Sequence, residues 1–109
     1  MKRSERSMQV WQILIAAAHS RSSYTYGQVA TILGMGGAGV MAQFLNPIMH
    51  YCSANGLPPL TVIVVNQETG LPGDGLSTIE EVNKDREAVF NYDWFGMYPV
   101  QITNFEPYA

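Results

Sequence analysis

The chain has 109 residues, 47% of them hydrophobic and 14% charged, with a formal net charge of −3. At roughly 100–200 residues per domain this is a single domain, residues 1–109, apolar enough to bury a core and unlike a disordered chain. No apolar run reaches about 18 residues, which excludes a membrane span. The lone cysteine, Cys52, excludes an internal disulfide.

The opening Met1-Lys2-Arg3-Ser4-Glu5-Arg6 is basic, but the helical stretch behind it is interrupted by Gln9 and Gln12. It does not read as a signal peptide, and a cytoplasmic protein is the expectation. Charge is unevenly spread. Residues 1–67 carry Lys2, Arg3, Arg6 and Arg21 against Glu5, a balance of +3, whereas residues 68–109 carry Lys84 and Arg86 against eight acids, a balance of −6. From Ser22 to Asn83 there is neither Lys nor Arg. A mildly basic face at one end and an acidic one at the other follow from this pattern.

The first helix is predicted from about Ser7 to Ala18, with Ser7 as its cap and Val10, Leu14 and Ala17 on one face. A short helix then runs from Tyr26 to Leu33. Thr25 caps it, and Gln28 three residues later completes capping-box spacing. Four glycines in Gly34-Met35-Gly36-Gly37-Ala38-Gly39 make a flexible turn. A third helix opens near Ala38 or Val40 and carries Met41, Phe44, Leu45, Ile48 and Cys52 at helical spacing. At Pro47 it either kinks or ends and restarts, with Asn46 as the new cap. Asn55-Gly56 closes it, and Leu57-Pro58-Pro59 is extended.

Thr61-Val62-Ile63-Val64-Val65, all β-branched, reads as a strand. A turn at Gln67-Glu68-Thr69-Gly70 and a loop at Leu71-Pro72-Gly73-Asp74-Gly75 follow. Ser77-Thr78-Ile79-Glu80 is a capping box opening a helix with Ile79, Val82, Val89 and Phe90 on one side. The tail from Asn91 is aromatic and is expected to pack back as irregular structure or a short strand. Three helices, a β segment and a wing-like loop are the order of a winged helix-turn-helix, mainly α with a small β wing.

Certain residues have a familiar arrangement. Val10-Trp11-x-x-Leu14, Tyr24-Thr25-Tyr26-Gly27-Gln28-Val29-Ala30, Leu33-Gly34, Leu45-Asn46-Pro47-Ile48 and Val62-Ile63-Val64-Val65 with Gly70 after it resemble the DNA-binding domain of O6-alkylguanine-DNA alkyltransferases (methylated-DNA–protein-cysteine methyltransferases) and the alkyltransferase-like proteins. The likeness covers about residues 8–70; Leu71-Pro72-Gly73-Asp74-Gly75 and everything beyond, including the helix and aromatic tail of residues 77–109, have no counterpart. The resemblance implies a winged helix-turn-helix that enters the minor groove, with a tyrosine that helps rotate the target nucleotide; Tyr26 matches it. It also implies a recognition-helix arginine and a cysteine in a Pro-Cys-His-Arg segment. Neither carries over, because residues 36–54 contain no arginine and the β segment has no cysteine. Some ten extra residues, His50 to Pro59, precede that segment.

Cys52 lies on the apolar stripe of the third helix and reads as a small buried hydrophobe, since a reactive thiol needs a nearby cation or base. His19 and His50 have no partner spacing for a metal. The glycine run follows a helix and not a strand, so it is a turn and not a dinucleotide loop. The acids Glu80, Glu81, Asp85 and Glu87 read as a solvated helix face. The expectation is therefore a protein without catalytic residues, metal or cofactor. Its candidate DNA contacts are Tyr26, Gln28, Gln43, Asn46 and His50, with charge from Arg21 and the Lys2-Arg3-Arg6 arm. Duplex DNA is the first expected partner. The alternative is a protein-interaction module on the same scaffold, meeting a protein partner or a second copy through the aromatic C-terminal segment.

Overall fold

The computed structural model describes residues 1–73 and 79–109. They form a mainly helical domain with one two-stranded sheet. The elements are α1 (Arg3–His19), β1 (Tyr24–Thr25), α2 (Tyr26–Ile32), α3 (Ala42–Ala54), β2 (Val64–Val65), α4 (Ile79–Asn91) and α5 (Ile102–Phe105), with single 3-10 turns at Ala38–Val40, Leu60–Ile63 and Glu106–Tyr108. Among the described residues no helix is long and apolar enough to cross a membrane.

α1 begins four residues earlier than its sequence suggests. The Glu5 carboxylate accepts from the Lys2 backbone N–H at 2.8 Å and holds the first turn. Ser7 is not the cap. It lies inside the helix, fully buried, and its hydroxyl donates to the Phe44 carbonyl of α3 at 2.8 Å. That carbonyl lies three residues before Pro47, which stays within a single helix and leaves the Gln43 carbonyl without its usual N–H partner.

Three helices stop in the same way. Each ends in a residue with left-handed φ, and the next residue's N–H reaches back five positions: Ser22 to Ala17 O after α1, Met35 to Ala30 O after α2, and Leu57 to Cys52 O after α3. At α2 and α3 the left-handed residue is Gly34 or Gly56; at α1 it is Arg21, with φ 53°.

The expected five-residue strand at Thr61–Val65 is not formed. The chain turns once through Leu60–Ile63, and only Val64–Val65 pairs, in parallel with Tyr24–Thr25. The reason is burial on every side. Leu60, Val62, Ile63 and Val64 are all buried, which an alternating strand on one sheet face cannot achieve. After β2 the chain folds into a tight loop, with Asn66 N–H bonded to Leu71 O and Gly70 N–H to Asn66 O. The proposed capping box at Ser77–Glu80 and the loop residues Asp74-Gly75 fall largely or wholly outside the described residues.

The aromatic tail does pack back, as irregular structure through residues 92–101 and then as the helical turns Ile102–Phe105 and Glu106–Tyr108, without a strand. Trp11, at the middle of α1, has ring contacts to Tyr51, Trp94 and Phe105 at centroid distances of 5.5–5.9 Å. Trp94 donates its indole N–H to Val89 O at 2.8 Å, and Phe105 is fully buried. The tail thus ties α1, α3 and α4 into one core.

Candidate nucleic-acid interface

The α2 start is built as its sequence requires. The Thr25 hydroxyl accepts from Gln28 N–H at 3.1 Å, and the Gln28 side-chain oxygen accepts from Thr25 N–H at 2.8 Å. The Gln28 oxygen is therefore in use, leaving its amide NH2 to donate. Gln28 lies in an open groove with Tyr24, Thr31, Ile32 and Gln67.

Tyr26 opens α2 half-buried, and its phenol oxygen accepts from the Gly73 backbone N–H at 2.7 Å. That bond fixes the ring but leaves the phenol's own proton free to donate. The same loop is held from the other side, where the Arg86 guanidinium donates to Gly70 O at 2.6 Å. Neither clasp has any sign in the sequence, since 16 and 47 positions separate the partners.

Gln43, Asn46 and His50 come together on the exposed side of α3, opposite buried Phe44, Leu45, Ile48 and Cys52. His50 lies near-parallel to Tyr108 at 6.3 Å, a partner that the sequence does not announce. Arg21 stands apart from this face. Its guanidinium pairs with Glu87 of α4 at 2.6 Å and sits 5.1 Å over the Phe90 ring. The remaining N-terminal cations are the exposed Lys2 and Arg3 and half-buried Arg6, which donates to Gln9 at 3.0 Å.

Cys52 is 1% exposed, and burial pushes its thiol up to about 11, only partly opposed by a hydrogen bond to the Leu60 backbone. It is protonated at neutral pH and sealed in the core, so it is no nucleophile in this state. Among the described residues no cluster of His, Cys, Asp and Glu could hold a metal ion. No family model, curated protein or solved structure matches this chain.

Proposed function

We propose that the chain is a non-catalytic winged-helix protein resembling the alkyltransferase-like proteins, which binds duplex DNA weakly and transfers no alkyl group. The observation that supports this most is the exposed face of α3. It presents Gln43, Asn46 and His50, groups that hydrogen-bond base edges and phosphates, behind a firmly capped α2 and a glycine turn. Tyr26 adds a phenol whose oxygen is already bonded and whose proton can meet a phosphate. The wing in this reading is the Asn66–Gly73 loop. The lack of cations from Ser22 to Asn83 makes the binding weak, micromolar or poorer at physiological salt.

Fluorescence anisotropy with duplex DNA at two salt concentrations tests this. With about two to four phosphates neutralised, log affinity against log salt should have a slope of roughly −2 to −4. No binding even at ~20 mM salt overturns the DNA reading. Mass spectrometry after incubation with O6-methylguanine DNA should show no added methyl; an adduct would refute the non-catalytic part.

The second reading, a protein-interaction module, is favoured by one feature. Phe95 and Tyr98 are 59% and 92% exposed on an otherwise well-buried aromatic tail.

A further inference from the structure

The tail leaves a cleft of about 160 Å³ against α1, floored by Trp11 and Trp94 and walled by Met8, Ile15 and Met97. Tyr98 stands on its rim with almost no contact to the rest of the chain. Such a cleft has the size of an apolar cavity that accepts one benzene ring, about 150 Å³. One patch therefore carries both an aromatic knob and a hole of matching size. That is the requirement of a two-fold contact, where the same surface meets itself.

The position of the cleft sets the orientation. It is centred on Trp11 and Gln12, the midpoint of α1 (Arg3–His19). At one end of α1 the side chains of Lys2, Arg3 and Arg6 outnumber those of Glu5 and Glu106. At the other end Glu87 and Asp93 outnumber Arg21; Arg21 pairs with Glu87, and His19 there meets Phe95 edge-on. A two-fold axis crossing α1 at its midpoint lays the two α1 helices antiparallel and brings each basic end over the other copy's acidic end. A parallel arrangement would set like ends together.

We propose that this cleft and Tyr98 form a self-association surface, in which two copies pair with antiparallel α1 helices and each Tyr98 ring enters the other copy's cleft. The inference rests on the interaction-module reading and names its partner as a second copy. A stable interface takes about 800 Å² from each partner, roughly an eighth of the 6256 Å² surface here. The aromatic patch alone falls short of that, so a weak dimer is expected, with a dissociation constant of about 10–100 µM.

Sedimentation equilibrium of the full chain over about 5–300 µM tests it, a range that brackets such a constant. The mass should climb from 12.1 kDa toward twice that value. Tyr98→Ser, at a site too exposed to disturb the fold, should weaken dimerisation at least tenfold. A Gln12→Cys chain should cross-link to its own copy on mild oxidation, and an Arg3→Cys chain should not, because the antiparallel pairing sets position 3 of the two copies at opposite ends; buried Cys52 adds no background. A mass fixed at 12.1 kDa overturns the proposal, as does a dimer that Tyr98→Ser leaves intact. Cross-linking through Arg3→Cys overturns the antiparallel arrangement. Anilinonaphthalene sulfonate separates the two levels of the argument. Dye bound by a monomeric wild type and lost in Tyr98→Ser leaves an adhesive patch with a foreign partner, whereas neither dye binding nor dimer removes the interaction-module reading as well.

Discussion

Arg21 is the one non-glycine residue with left-handed φ among the described residues, and its replacement separates a structural duty from a DNA-binding one. The left-handed conformation costs a side chain with a Cβ about 1 kcal/mol relative to glycine. Two contacts offset this. The Glu87 ion pair, with both partners more than half exposed, is worth about 0–1 kcal/mol, and the guanidinium over Phe90 about 0.5–1 kcal/mol. Arg21→Gly loses both contacts but relieves the strain, so its net change is near zero. Arg21→Ala loses the contacts and keeps the strain, so it is destabilised by about 1 kcal/mol. Thermal unfolding followed by circular dichroism should place the Ala variant about 4 °C below the Gly variant. Both variants remove the same charge, so under the DNA reading both should lower the salt slope by about one. Equal melting temperatures for the two would refute the backbone argument. An unchanged slope in both would mean that the guanidinium stays with Glu87 and never reaches a phosphate.

Ser7→Ala removes the buried bond to Phe44 O and should cost about 1–2 kcal/mol in urea denaturation with an unchanged m-value; a neutral result would show that water serves that carbonyl. Tyr26→Phe should weaken DNA binding without altering the salt slope and cost stability only about 0.5 kcal/mol, since Gly73 is exposed and water can replace the phenol. The Cys52 thiol binds its proton more tightly in the folded chain than in the unfolded one, where it ionises near 8.5. Its contribution is therefore whole below about pH 8.5 and lost as pH climbs toward 11, roughly 3 kcal/mol in full. Chemical denaturation between pH 8 and about 10 should show this decline in the wild type and a flatter profile in Cys52→Ala. Matching profiles would mean the thiol is not the group responsible.

What could be read from the residues was what is settled within one helical turn. Thr25 and Gln28 cap α2 as their spacing requires, and Gly34 and Gly56 end α2 and α3. The face of α3 that presents Gln43, Asn46 and His50 also followed from the spacing of its apolar residues. Errors came where distant partners decide. Ser7 has the chemistry of a cap, but a carbonyl 37 positions away takes its hydroxyl. The β-branched run at Thr61–Val65 is compatible with a strand or with a turn buried on all sides, and packing against α1, α3 and α4 selects the turn. The Tyr26–Gly73 and Arg86–Gly70 clasps join residues with no local signature.

The parallel ladder has a consequence for the order in which the chain assembles. Thirty-eight residues separate Thr25 from Val64, and closing a loop of that length costs about 3 kcal/mol of chain entropy. Two paired residues, at about 1 kcal/mol net per hydrogen bond, cannot repay that by themselves. The strands can meet only after α2 and α3 have shortened the path by packing on α1. The ladder is thus a late event in folding, slower than the helices it joins. Its amides should therefore exchange with solvent through local opening of the seam, ahead of the helices it joins.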